Sequence, residues 1–194
     1  MIIEKFFPTL VYGKDVELDN DQMTKDIIDW SRKDRGVSKT NHKGWHSTTD
    51  MHKKPEYSSL VTELFRMQKE IYDNEHLDRN AVLGNMWANI NPPGGMNMPH
   101  IHPNSLFSGV YYVKSNINSG RIKIMDPRPG AQHIMPARKP GNPGRDMWRD
   151  ASLDPVVGRI IMFPSWLWHS VEENKSDDIR ISVSFNFIQE GYHG

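Results

Sequence analysis

Cysteine is absent from the 194-residue chain. That absence excludes a disulfide framework and thiolate metal sites, so any transition metal must be held by imidazole, carboxylate or backbone oxygen. A surplus of charge is also missing: Lys plus Arg and Asp plus Glu number 24 each, so no overall field draws nucleic acid or anionic lipid. No stretch approaches the ~20 consecutive apolar residues of a membrane span. Met1 through Leu10 carries Glu4, Lys5 and Pro8, which is unlike a signal peptide. These absences lead us to expect a soluble, cytoplasmic protein. There is no Gly-rich phosphate cradle, no serine or cysteine nucleophile, and no carboxylate pairing of the glycosidase kind. What the chain does have is nine histidines.

The length suits one domain over 1–194, with a helical portion at about 19–76 and a β core at about 81–190. Asp19 or Asn20 can cap a helix in which Met23, Ile27 and Trp30 share a face, ending at Gly36. A second helix begins near Pro55, with Tyr57, Leu60, Leu64, Met67 and Ile71 on one side. From about Ala81 the pattern becomes short β runs between Gly, Pro and Asn. We place strands near 6–12, 82–91, 106–113, 120–126, 156–163, 167–173 and 179–189, an all-β body carrying N-terminal helices. Between Asp126 and Asp150 the prolines and glycines forbid a long helix or central strand. This segment, proline-rich over 127–145, reads either as a lid over a site or as a flexible insertion.

In an extended strand alternate side chains share a face, so His100 and His102 project together while Ile101 points away. Two imidazoles so placed can close on one ion, although such pairs also occur by chance at surfaces. A second element, Gly158 through Val171, ends an apolar strand at Phe163, turns at Pro164-Ser165 and delivers His169 on the next strand. A ligand there would be rigidly held. The run Ile179 through Phe187 alternates without a break. Its polar face, Arg180, Ser182, Ser184 and Asn186, suits an enclosed cavity in which a guanidinium clamps a carboxylate and Ser182 adds a donor. An exposed antiparallel strand is the other reading of that run.

Taken in order, His-x-His, a strand pair, a distal histidine and Arg-x-Ser resemble the Fe(II)- and 2-oxoglutarate-dependent dioxygenases. Within them the chain is similar to a 2OG-Fe(II) oxygenase group of bacteria and their phages, in which a His-Pro pair leads into Ser-Gly-Val-Tyr-Tyr. Here that stretch runs from His102-Pro103 to Ser108-Gly109-Val110-Tyr111-Tyr112. The resemblance implies a double-stranded β-helix, or jelly roll, with the helices packed on its major sheet. It implies His100, His102 and His169 as metal ligands, and Arg180 with Ser182 as the seat of the distal carboxylate of 2-oxoglutarate. Tyr111 or Tyr112 would hydrogen-bond the cosubstrate, and Asn89 would hold its other end. The implied reaction consumes O2 and 2-oxoglutarate, releases succinate and carbon dioxide, and hydroxylates a prime substrate. That substrate would be set by the pocket rim and the proline-rich segment. A two-fold dimer is the default assembly.

One position departs from the superfamily pattern. His-x-Asp or His-x-Glu is usual, and here His102 stands in the carboxylate's place. Three neutral imidazoles leave a metal more positive, which changes its redox potential and lets zinc, copper and nickel compete with iron. Asp126 is the nearest substitute carboxylate, but Asp126-Pro127 reads more simply as a turn. Two rival readings follow. A three-histidine cupin-like enzyme would use no 2-oxoglutarate and would form no succinate from it. A non-catalytic β-helix module would bind no metal. His42, His46, His52, His76, His133 and His193 are expected at the surface or in caps, with His46 in an early strand and turn. Trp166 and Trp168 are expected in the core.

Overall fold

The computed structural model describes residues 1–4, 6–78, 81–130, 139–141, 144 and 148–189. Two antiparallel sheets face one another. The major sheet is built, in spatial order, from β1 (Tyr12–Asp15), β9 (Arg159–Pro164), β6 (Phe107–Lys114), β11 (Arg180–Gln189), β4 (Ala81–Asn91) and β3 (Trp45–His46). The minor sheet runs β2 (Asn41–His42), β5 (Met96–His100), β10 (His169–Val171), β7 (Ile122–Met125) and β8 (Asp150–Leu153). This is the expected jelly roll. No helix among the described residues is long and apolar enough to cross a membrane.

The period-2 alternation of the major-sheet strands decides what lies on each side of it. Ile181, Val183, Phe185 and Phe187 of β11 join Met86 and Ala88 of β4, Tyr111 and Val113 of β6, and Ile160 and Met162 of β9 in one buried core. That core is closed by α1 (Asn20–Lys33) and α2 (Ser58–Asn74), which bring Met23, Ile27, Leu60, Leu64, Met67 and Ile71. The helices thus lie on the outer face of the major sheet. Residues of opposite parity, Val110, Tyr112, Ile161 and Phe163, turn inward and meet Ile122, Ile124 and Leu167 in a smaller core between the sheets. A sheet covered on both faces can carry apolar side chains at nearly every position. That is why β6 and β9 read as almost continuous apolar runs.

Asp19 caps α1 by accepting from the Gln22 amide at 2.9 Å, and the helix stops at Lys33, short of the expected Gly36. The second helix is preceded by a 3-10 turn at Pro55–Tyr57. The strand expected at 6–12 forms instead at Tyr12–Asp15. Phe7 has φ 58, which breaks the extended run, and Pro8 has no amide to give a ladder. Strand β8 and the two-residue β2 were not among those expected, β5 was expected only as the extended stretch around His100, and β3 falls in the early strand expected around His46. Most of the proline-rich segment (131–138, 142, 143 and 145), with His133 and His193, lies outside the described residues.

Candidate metal centre

Strands β5 and β10 set the site. His169 stands directly opposite His100 in the antiparallel register, and two residues along β10 Val171 stands opposite Asn97. Residues 97–100 of β5, four in number, therefore face the three residues 169–171 of β10, and the one extra residue is a bulge. Pro99 falls inside it, where a residue without an amide donor is tolerated. The bulge turns Met98 outward, half exposed, and keeps Asn97 and His100 on the inner wall. His102 lies two residues beyond the end of β5, and its amide donates to the Ser165 carbonyl at 3.0 Å. That bond ties it to the turn carrying the chain from β9 to β10.

The three histidines converge. One nitrogen from each of His100, His102 and His169 lies within 4.8 Å of the others. Ring centroids are separated by 4.3 Å for His100–His169, 4.9 Å for His100–His102 and 5.1 Å for His102–His169. Nδ1 of His100 lies 2.7 Å from the Met98 carbonyl, and Nδ1 of His169 lies 2.8 Å from the Leu167 carbonyl. A carbonyl only accepts, so each Nδ1 carries the proton and each Nε2 keeps a free lone pair. This is the outer-shell arrangement that fixes a metal-binding imidazole in its tautomer. Burial lowers all three proton affinities, that of His169 to about 4 and that of His102 to about 3, the latter with help from its two neighbours. Neutral imidazoles with free nitrogens are what a divalent transition metal requires, so these residues fit Fe(II).

A cavity of about 290 Å³ opens between the sheets against this cluster. Arg180, Ser182, Ser184 and Asn186 all line it, so the polar face of β11 is the cavity wall and not an exposed surface. Arg180 is 1% exposed. Its Nη1 donates to the carbonyls of Ser119 and Gly120, with Glu172 at 3.5 Å, while its Nη2 is buried without a partner. Burial lowers the proton affinity of its guanidinium to about 10, and Tyr112 opposes that shift. Tyr112 lines the same cavity. Tyr111 does not: it turns to the helical side, and its hydroxyl donates to Asn20 Oδ1 at 2.8 Å. Parity makes this inevitable for adjacent residues of one strand, and of the two tyrosines only Tyr112 faces the cavity. Asn89 lines the cavity, donates to Ser184 Oγ at 3.1 Å and leaves its own Oδ1 unpartnered.

Some residues lie elsewhere than expected. His46 is 5% exposed, lines the cavity and stacks on Trp87 with centroids 5.3 Å apart and planes 8° from parallel. It does sit in the expected early strand, but opposite Asn89, and nothing local in the sequence joins two positions that far apart. Asn85, also in the wall, is found by extending the Asn89-x-Asn91 alternation backward through Trp87. Trp166 and Trp168 are 53% and 48% exposed, not core residues. They flank the β10 turn, and the alternation that sends Leu167 and His169 inward sends both indoles out. The Asp126 carboxylate pairs with Arg128 through bonds of 2.7 and 2.9 Å and is no part of the histidine cluster.

None of the curated proteins matches the chain in sequence. Residues 85–186, more than half of the chain, match a family model described as "Putative 2OG-Fe(II) oxygenase". Among solved structures the fold is similar to a Pseudomonas putida prolyl-4-hydroxylase, with a TM-score of 0.64, 13% identity and 94% of each chain covered. It is also similar to HygX from Streptomyces hygroscopicus, solved with nickel and 2-oxoglutarate (TM-score 0.64, 9% identity, 95% of this chain and 84% of that one). A third likeness is the viral collagen prolyl hydroxylase of Paramecium bursaria Chlorella virus-1, solved with 2-oxoglutarate (TM-score 0.59, 14% identity, 91% and 94% covered). Identities this low speak for the jelly roll alone, whereas the family match spans the strands that carry the three histidines and Arg180. The chain accordingly belongs to the 2OG-Fe(II) oxygenase family and is an oxidoreductase that uses Fe(II) and 2-oxoglutarate.

Proposed function

We propose that the whole chain works as one oxygenase domain in which His100, His102 and His169 hold the iron and Arg180 receives the distal carboxylate of 2-oxoglutarate. The observation that carries this reading is the unpartnered Nη2 of Arg180, buried at the cavity wall. No carboxylate of the described residues forms an ion pair with that guanidinium. A buried charge without a counter-charge is costly, and an entering carboxylate removes the cost. Ser182 and Tyr112, on the same wall, supply further hydroxyl donors. Tyr112 is protonated for that task, because burial raises its proton affinity. Asn89 steadies the opposite end of the cosubstrate.

Bound iron would couple oxidative decarboxylation of 2-oxoglutarate, giving succinate and carbon dioxide, to hydroxylation of a prime substrate. This chain's residues perform the placing. The backbone-bound Nη1 fixes the fork of Arg180, the two Nδ1–H bonds aim two of the imidazoles, and Trp87 and Phe163 keep the wall dry. A cytoplasmic setting fits a cosubstrate drawn from central metabolism.

Arg180→Ala should raise the 2-oxoglutarate concentration needed for succinate formation by about 100-fold, the loss of a charge-assisted pair. Iron content, measured on the same sample, should stay near that of the parent. Arg180→Lys, which keeps the buried charge but not the fork, separates a folding defect from a binding one. Equal loss of iron and cosubstrate in both variants, or no succinate from the parent protein, would contradict the assignment.

A further inference from the structure

The charge of the cavity does not balance. Lys39 and Arg180 line it, and no aspartate or glutamate of the described residues does. A ligating imidazole is neutral. With three of them, both charges of Fe(II) reach the cavity, where the usual carboxylate ligand would cancel one. Arg180 adds a third positive charge. The two carboxylates of 2-oxoglutarate leave one of these uncompensated. Lys39, an exposed residue on the cavity lining, adds another at the solvent side, since no carboxylate of the described residues pairs with its ammonium. It sits close enough to His46 to oppose protonation of that ring. The rest of the wall nearby is neutral: Thr40, Thr49, His46 and Asn85. The charge left over on the buried side of the cavity, beside Trp87 and Phe163, is costly when unmatched, and together with the solvent-exposed Lys39 at the cavity rim it draws anions from solution.

We propose, resting on the cosubstrate reading above, that the prime substrate is an anion whose carboxylate or phosphate group meets Lys39 while its reacting carbon faces the three histidines. A cationic or neutral prime substrate would leave the surplus in place. The anionic group has no seat on Arg180, which the cosubstrate occupies, so Lys39 is a specificity-determining residue and not a second cosubstrate anchor.

The test uses the full chain with 2-oxoglutarate and with Mn(II) held below the protein concentration, so that bound manganese acts as a paramagnetic reporter without turnover. Inorganic phosphate is the probe, read by phosphorus relaxation, and acetate, read by its methyl protons, is the second arm. Saturable relaxation of either probe is expected, phosphate alone marking a phosphate-bearing substrate and acetate alone a carboxylate. Lys39→Met should weaken that binding about tenfold, the scale of one hydrogen bond to a charged group. Lys39→Arg should restore it. Lys43→Met, at an exposed lysine outside the lining, should leave it unchanged. No saturable relaxation of either probe, or equal relaxation in Lys39→Met, would overturn the proposal. The methylene protons of 2-oxoglutarate are followed in the same tube. If manganese fails to relax them, the cosubstrate reading falls and this proposal with it, whereas relaxed methylenes with unaffected probes sink this proposal alone.

Discussion

His102 and His169 hold their protons far less tightly than a free imidazole, with values near 3 and 4 against 6.5. The cause is burial first, then the neighbouring rings. In the unfolded chain these histidines take up protons as the pH falls through 6.5, while in the folded, metal-free protein they remain neutral until far lower. Between those limits the unfolded state binds more protons, so stability rises with pH and is lost on acidification from about 6.5 downward. Urea unfolding of chelator-treated protein should therefore show lower stability at pH 5 than at pH 7.5. That slope should shrink in the His102→Gln/His169→Gln double variant. An equal slope in parent and variant would mean that the rings are solvated in the folded state.

The elements around the site explain what could be read in advance. β11 was legible because its alternation is unbroken, with Arg180, Ser182, Ser184 and Asn186 on one face and the aliphatic and aromatic residues on the other. β5 was not. Met96-Asn97-Met98-Pro99-His100 has no alternation because the bulge shifts its parity, and Pro99 argues against a central strand. β8, Asp150–Leu153, is too short and polar to announce itself. The sequence places two imidazoles on one face and a third on a separate strand, but the cross-strand pairing of His100 with His169 comes from the register. His46 lay beyond reach for the same reason.

One short turn bears directly on cosubstrate binding. The loop before β7 folds on itself, with the Ser119 amide bonded to the Asn116 carbonyl at 3.1 Å, and its Ser119 and Gly120 carbonyls hold Arg180 Nη1. Gly120 has φ +89, and a Cβ there would fall on the Glu172 carbonyl oxygen and 2.7 Å from Arg180 Nη1. Gly120→Ala should thus displace the guanidinium and weaken 2-oxoglutarate binding about tenfold, one hydrogen bond to a charged group. Metal binding, by isothermal titration in the same variant, should be almost unchanged. Unaltered cosubstrate affinity would show that the turn does not position Arg180.

At the scale of the whole molecule, the major sheet separates two tasks. Its outer face is covered by α1 and α2 and gives the larger core, while its inner face and the minor sheet enclose the cavity. Burying the outer face of β4, β6, β9 and β11 fixes the register of the strands whose inner residues form the wall. A slip of one residue would exchange core and site along an entire strand. The exposed apolar residues Phe6 and Phe7 precede β1 and stand apart from this arrangement, and the structure gives no physical reason for them. The most direct measurement is a crystal structure of the protein grown with Fe(II) and 2-oxoglutarate without oxygen. It should show one iron bonded to Nε2 of His100, His102 and His169, and the distal carboxylate of 2-oxoglutarate on Nη2 of Arg180. Iron held by fewer than these three rings, or a cosubstrate carboxylate seated away from Arg180, would contradict it.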